Sequence, residues 1–378
     1  MSSGPSVIII GAGVIGLSTA VRLQEKFQDD GKSTLQPLIL LVAKEWPAAI
    51  PGAPLRHSAD YASMWAGAHV RPIPATTPQL RQEAKWLKAT VAEFHRQVAE
   101  EPACGVTRAA GIEYLEAPDE GYLKQDAGAF AAETGLSGYK RYEPAELPDG
   151  VALGFEYDTF CINAPVYCEA LLRKFLLMGG KTMKRDLKSE WEAFSITENA
   201  KLVINASGTG FGDPKVFPTR GQTVVTDIDV PATVTRQYKD GTWSFLIPRF
   251  LHGGTIVGGT KEPGDWRSAP CKCTRTQLLE NGLKLQPLTH KKSCPAADKT
   301  LEAIRVISDV VGRRPTRQGG MRLEVEKPAV PRHARGEVLI HAYGAGGRGY
   351  EISWGVADEV VEMVLPLLAD PGQAAAKL

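Results

Sequence analysis

The first apolar run of the chain, Val7-Ile8-Ile9-Ile10, is unbroken and stops at Gly11. Consecutive β-branched and apolar positions suit a strand buried on both faces, as in the middle of a parallel sheet. The period then changes: Val14, Ile15, Leu17, Ala20, Val21 and Leu23 recur at helical spacing, so a turn leads straight into a helix. A second buried run, Leu38 to Val42, follows a polar loop, Gln28 to Pro37. A long amphipathic helix is predicted around Gln79 to Glu100. After it come strand signals at Gly111 to Leu115, Gly154 to Tyr157, Gln222 to Thr226, Thr242 to Pro248 and Thr255 to Val257. One further buried run, from Leu202, ends in the small residues Ser207, Gly208, Thr209 and Gly210, which let backbone lie close to a ligand. The pattern predicts an α/β chain whose nucleotide-binding part is split by a β-rich insertion and closed near the C-terminus.

The glycines Gly11, Gly13 and Gly16 give that first turn its chemistry. The first permits the tight turn, the second lets a pyrophosphate approach the backbone, and the third lets helix and strand pack closely, with the helix dipole facing the anion. The second strand ends at Ala43-Lys44-Glu45, where Glu45 is the candidate acceptor for two ribose hydroxyls.

Composition narrows the classes. The 378 residues, 43% of them hydrophobic, suit two domains, and the net charge of +1, without a Lys/Arg block, offers no field for nucleic acid or an anionic membrane. No run is long enough to span a bilayer, and no basic segment precedes the first apolar run, so neither membrane insertion nor a standard secretory signal is expected. The six cysteines are read as structural thiols and no metal is expected, because Cys271-Lys272-Cys273 has no histidine at finger-like spacing. A disulfide from Cys294 to Cys271 or Cys273 stays open.

Eight stretches in order carry a resemblance over nearly the whole length: VIIIGAGVIGLSTA, ASMWAGA, INAPVYC, LVINASGTG, FPTRGQTV, GGTKEPGDW, VGRRPTR and IHAYGAGGRGYEISWG. The sequence resembles the D-amino acid oxidase and D-aspartate oxidase family of flavoproteins. The resemblance implies a Rossmann-type FAD-binding domain with an inserted, mainly antiparallel β-sheet substrate domain. The boundaries drawn are 1–75, 150–225 and 305–370 for FAD, 76–149 and 226–304 for substrate, and 371–378 as a flexible tail. FAD is expected noncovalently, since Ser63 to Gly67 contains no histidine or cysteine. Its pyrophosphate would lie on Gly11, Gly13, Val14, Ile15 and Gly16 and its ribose near Lys44 and Glu45, with Ser207 and Gly208 as a second contact. The flavin would lie against Ser63, Met64, Trp65, Ala66 and Gly67, closed over by Gly344, Gly346, Gly347, Gly349, Tyr350 and Glu351.

The implied reaction is oxidative deamination of D-amino acids by hydride transfer from Cα to flavin N5, giving 2-oxo acid, ammonia and hydrogen peroxide, with oxygen as acceptor. Such a transfer needs no strong protein base if the amine binds neutral, so the protein's task is orientation. A guanidinium makes the best carboxylate clamp, and Gly312-Arg313-Arg314-Pro315 places Arg314 in the family's clamp position. Phe245 stands where the family usually has tyrosine, with Tyr238 a replacement hydroxyl. Gly347 stands where a related enzyme has serine and Glu351 where it has glutamine; Glu351 either binds a cationic amine or pairs with Arg348. Arg236, Lys239 and His57 are candidates for recognising an acidic or polar side chain. The alternatives are a related amine or imino-acid flavin oxidase for a specialised metabolite, or a D-aspartate-type oxidase for acidic substrates. The ending Ala376-Lys377-Leu378 resembles a peroxisomal import signal, which gives the peroxisomal matrix as the expected address, with cytoplasm as the alternative, and the import receptor as a partner. A homodimer is compatible with this reading.

Overall fold

The structure, a computed structural model, describes residues 6–29, 37–48, 56–289, 300–326 and 337–369. Cys294, most of the polar loop ahead of Leu38 and the C-terminal tail lie outside the described residues. The chain divides into two compact units, one formed by Met1–Pro47, Cys168–Phe217 and Pro315–Leu378, the other by Ala48–Tyr167 and Pro218–Arg314.

The first unit is built on a six-stranded sheet in the order Arg322–Glu326, Val338–Tyr343, Ala200–Asn205, Ser6–Ile10, Leu38–Ala43, Lys181–Lys184. All neighbours run parallel except the first pair. The opening apolar run sits at the centre, with Val7, Ile8 and Ile9 fully buried, which is why it has no polar alternation. Ile10 stands opposite Val42 on one side and Asn205 on the other. The helices Val14–Asp29 and Gly349–Ala369 pack on each other, with Arg22 ion-paired to Asp358 at 2.8 Å and its guanidinium 4.7 Å over the Trp354 ring. The run from Leu202 stops being a strand at Asn205. Beyond it Gly208, Gly210 and Gly212 adopt φ values of 82°, 68° and 92°, which a ladder cannot hold.

The second unit holds a ten-stranded sheet. Its main path is Glu262–Pro263, Val216–Thr226, Thr255–Gly258, Trp243–Pro248, Ala232–Gln237, Val106–Leu115, Leu153–Ile162, Ala68–His69. Val306–Arg317 also pairs with Val216–Thr226, and Lys140–Arg141 with Leu153–Ile162. Most pairings are antiparallel; Ala232–Gln237 against Val106–Leu115 is parallel. Period-2 alternation separates the two faces. Val224, Val234, Leu246 and Val257 pack with Leu278 and Leu285 of the helix Lys272–Leu285. Val225, Ile247 and Ile256 pack with Cys161 and Val310, and Trp65 and Phe245 lie against them. The amphipathic helix Pro78–Glu100 begins as its sequence predicts: Pro78 opens the first turn, and the Thr77 side chain accepts a hydrogen bond from the Leu80 amide at 3.2 Å, a cap worth about 1 kcal/mol.

The unit boundaries differ from the expected ones. Ala68–His69, Leu153–Ile162 and the Val306–Arg314 part of its strand fall in the second unit, because their backbones hydrogen-bond into the ten-stranded sheet. The strands expected from the sequence do not include Lys181–Lys184, Ala232–Gln237, Val306–Arg317, Arg322–Glu326 and Val338–Tyr343. Val306–Arg317 is half-buried along most of its length and carries three arginines, so hydropathy alone does not mark it. No helix among the described residues is long and apolar enough to cross a membrane.

Candidate active site

In the first unit the glycine turn forms a tight backbone cradle. Gly11 adopts φ 104°, a region that disfavours any residue with a Cβ. A Cβ on it would come within 2.4 Å of the Ala206 carbonyl oxygen, and one on Gly16 within 2.0 Å of the Gly11 carbonyl oxygen. The Gly11 amide donates to Val42 O at 2.8 Å, and the Ala206 amide to Ile10 O at 2.9 Å. The turn is therefore pinned from both neighbouring strands, at the N-terminus of the helix Val14–Asp29. A second helix N-terminus lies beside it: a Cβ on Gly349, the first residue of the C-terminal helix, would touch Val14 Cγ1 at 3.4 Å. Two converging positive helix ends fit the pyrophosphate of a dinucleotide.

The loop after Asn205 is fixed next to this cradle. Ser207 Oγ accepts from the Gly210 amide at 3.0 Å, and the Gly344 amide donates to Gly208 O at 3.0 Å. Gly346 donates to Pro315 O at 2.9 Å, and Ala345 bridges to Thr316. Ser207, Gly208, Gly344, Gly346 and Gly349 thus belong to the same unit as the glycine turn, joined by these backbone contacts. Gly347 is exposed at the tip of its loop, Lys44 is exposed and pairs with Asp186 at 3.5 Å, and Glu45 is half-buried in the bend after its strand. Glu351 forms an ion pair with Arg348, Nε to Oε2 at 2.9 Å, so its charge is already balanced. The Tyr350 hydroxyl meets Cys168 Sγ at 3.1 Å inside the unit.

In the second unit a short helix, Ala62–Trp65, carries the buried Met64 and leads to Gly67. A Cβ on Gly67 would lie 3.0 Å from Ile256 Cγ2 and 3.3 Å from Ile247 Cδ1, and one on Gly312 would lie 3.1 Å from Trp65 Cβ. Buried Arg249 donates from Nη2 to Ala66 O at 2.7 Å. Ser63 to Gly67 therefore lies on the same sheet face as Ile247, Ile256 and Phe245.

Arg314 is the distinctive charge on that face. Its guanidinium lies over the α-carbon of Gly221, where a Cβ would come within 2.4 Å of Nη1 and 2.5 Å of Nη2. Its hydrogen bonding among the described residues amounts to one long contact, Nη1 to Thr260 O at 3.4 Å, and it makes no ion pair there. Part of the side chain keeps some surface, yet the charged end is crowded: burial lowers its pKa from the usual arginine value, and the charge of Glu262 opposes that. Its neighbours differ. Arg313 pairs with Asp60 at 2.8 Å and donates to Trp266 O at 2.8 Å, and Arg220 pairs with Glu262. A crowded cation without an anion is built to receive one.

Phe245 packs its ring on the Gly258–Gly259 backbone; a Cβ on Gly258 would be 2.2 Å from the ring. The cross-strand pairing Phe245↔Gly258 and Gly258↔Thr223 places Thr223 in the same row, and its hydroxyl is buried with no hydrogen-bond partner among the described residues. The expected side-chain readers do not join this face. Arg236 stands opposite Ser244, not Phe245, so strand alternation turns it to the other side. There it pairs with Glu116 at 2.7 Å and lies over the Tyr238 ring at 5.5 Å, while the Tyr238 hydroxyl donates to Ser244 Oγ at 3.3 Å. Lys239 is exposed. His57 contacts the edges of Tyr61 and Trp65, with ring centroids 5.2 Å and 6.1 Å away. Reading the sequence by motif passed over Gly221 and Thr223, although an isolated glycine within the strand run after Arg220 is the usual mark of a close approach.

The family model described as FAD dependent oxidoreductase matches residues 6–363. The chain is 45% identical over 369 residues to a D-aspartate oxidase of Talaromyces thermophilus, covering 96% of this chain and 95% of that protein. It is 31% identical to a D-amino-acid oxidase of Schizosaccharomyces pombe, covering 95% and 96%. Among solved structures, glycine oxidase from Bacillus cereus matches with a TM-score of 0.67 at 16% identity, over 95% of this chain and 94% of that one. That likeness fixes the fold as a Rossmann-type FAD-binding domain with a β-sheet substrate domain. With its glycine cradle intact and matched almost from end to end, the chain belongs to the FAD-dependent oxidoreductase family.

Proposed function

We propose that this protein oxidises D-amino acids at Cα, reducing oxygen to hydrogen peroxide, and that acidic D-amino acids are its preferred substrates. The observation that carries the reading is Arg314, a crowded guanidinium with no anion paired to it among the described residues, on the face lined by Trp65, Phe245, Ile247 and Ile256. The relatives named D-aspartate oxidase and D-amino-acid oxidase agree with it. In this reading Met1–Pro47, Cys168–Phe217 and Pro315–Leu378 hold the nucleotide and the other unit holds the substrate.

Arg314 takes the substrate carboxylate in paired charge-assisted hydrogen bonds, which fixes Cα and its hydrogen in one direction. The apolar face excludes water around the neutral amine. The glycine cradle at Gly11, Gly13 and Gly16 would hold FAD, whose chemistry would be hydride acceptance and passage of the two electrons to oxygen; the imino acid would then hydrolyse in water to 2-oxo acid and ammonia. Because Glu351 is neutralised by Arg348, a site for a permanently cationic amine has less support. Acid recognition falls to Lys261: its ammonium lies 5.5 Å over the ring of Trp243, two positions before Phe245, and it has no ion-pair partner among the described residues.

Initial rates of peroxide formation on D-aspartate, D-glutamate, D-alanine and their L-forms test the proposal. D-aspartate should lead, and Lys261→Met should lower its kcat/KM about tenfold, the scale of one charge-assisted contact, while leaving D-alanine unchanged. Peroxide from none of the D-forms would overturn the reaction. Peroxisomal import is part of the same reading, supported by Ala376-Lys377-Leu378 and the peroxide product. A fluorescent protein fused ahead of the native tail should give puncta that disperse when Leu378 is deleted; a diffuse signal from the intact tail would sink it.

A further inference from the structure

The cysteines of the described residues divide into two kinds. Cys104, Cys161 and Cys168 are buried; burial raises the pKa of Cys161, and lifts that of Cys168 to about 12 although the Tyr350 hydroxyl bonds to its sulfur. Such thiols react slowly. Cys271 and Cys273 are exposed and unpaired as disulfides, two residues apart at the start of the fourteen-residue helix Lys272–Leu285, with Cys271 as its N-cap residue.

Cys271 has extended backbone angles, φ −98° and ψ 131°, the conformation of a residue entering the helix, with Cys273 two positions on in the first turn. Its side chain makes no capping hydrogen bond, and the neighbouring Cys273 thiol, then the amide and hydroxyl of Thr274, bring its pKa down to about 7. A thiol of that acidity combines thiolate population with nucleophilicity near neutral pH. The surroundings of Cys271 also reach the clamp. Its amide donates to Gln222 Oε1 and its carbonyl accepts from Gln222 Nε2, each at 2.8 Å. Gln222 is fully buried and adjoins Gly221, over which Arg314 lies.

We propose that Cys271 is a peroxide-reactive thiol resolved by Cys273, and that the resulting disulfide is felt at the Arg314 clamp through Gln222. The Cys271 thiolate attacks one oxygen of hydrogen peroxide; the O–O bond breaks, hydroxide leaves and Cys271 becomes the sulfenic acid. The Cys273 sulfur then attacks the Cys271 sulfur, forming the S–S bond and expelling water, so one peroxide is reduced and two thiols are oxidised. The bond forms at the residue whose backbone amide and carbonyl Gln222 holds. The oxidant is the product of the proposed reaction, on which the physiological setting of this inference rests.

The test uses the full-length holoenzyme in two arms, with hydrogen peroxide added or with peroxide generated from D-aspartate with and without catalase, followed by non-reducing tryptic mapping. Cleavage after Lys272 separates the two cysteines, so a disulfide keeps their peptides joined. A Cys273→Ser variant should trap the Cys271 sulfenic acid with a cyclic dione, and KM for D-aspartate should rise severalfold on oxidation and return with dithiothreitol. Free thiols after added peroxide, dione trapping at Cys273 in a Cys271→Ser variant, or a link from Cys271 to Cys294 would overturn the assignment. An unchanged KM in the oxidised enzyme would overturn the link to the clamp. If added peroxide oxidises the pair and D-aspartate does not, the oxidase reading fails and the thiol assignment stands.

Discussion

A guanidinium crowded by protein atoms and left without an anion is costly to bury, and Arg314 meets that cost by resting on a residue with no side chain. Gly221 is the consequence at the scale of one residue: its missing Cβ is the room that the guanidinium occupies. Gly221→Ala should therefore act on function more than on folding, because the displaced atoms are the far end of a flexible side chain. A methyl group there moves the donors out of register with a carboxylate, and losing one charge-assisted hydrogen bond costs about 1.5–3 kcal/mol. KM should rise roughly ten- to hundredfold, with the melting temperature nearly unchanged and FAD still bound. A Gly221→Ala enzyme with native KM would show that the clamp lies elsewhere. Arg313 shows why chain neighbours are not equivalent: with Asp60 and Trp266 as partners, it has no charge left to offer.

At the scale of elements, the working parts are ends and edges of regular structure. The turn between Ser6–Ile10 and Val14–Asp29 is held by the Gly11 amide on Val42 and by the Ala206 amide on Ile10. Gly11→Ala would bring a Cβ within 2.4 Å of a backbone oxygen at φ 104°, and backbone, unlike a side-chain end, cannot swing aside. The expected outcome is a colourless or weakly yellow protein with its FAD affinity reduced and its melting temperature lowered toward that of the apoprotein, since ligand binding no longer adds its share. Flavin absorbance after gel filtration reads this directly; a full flavin complement would contradict the role given to the turn. The strands follow the same logic, for Thr223, Gly258 and Phe245 share a row only because three separate strands are in register.

At the scale of the whole molecule, the stretch Ser63 to Gly67, proposed to face the flavin, offers no histidine or cysteine for a covalent link. Acid precipitation should release all the flavin into the supernatant; a yellow pellet would show a bond to the protein. Two units also mean two sets of constraints. The six-stranded sheet keeps a near-continuous apolar core, while the ten-stranded sheet packs one face on the helix Lys272–Leu285 and has on the other the face proposed for the substrate.

By itself the sequence determined the turn, the two strands and the helix of the nucleotide cradle, because glycine spacing and an unbroken apolar run are local and survive any tertiary context. It also determined the family, through motifs in order along the chain. It singled out Arg314 and Ser63 to Gly67 by motif. Only the tertiary structure decided which face each side chain serves. Arg236 and Tyr238 lie close in sequence to Phe245, yet register puts them on the opposite side with Glu116 and Ser244 as partners. Alternation assigns residues to two faces without saying which one meets the ligand. Gly221 under Arg314, Lys261 over Trp243 and Gln222 on Cys271 join positions 18 to 93 residues apart, and no local pattern records a pairing that strand order alone creates.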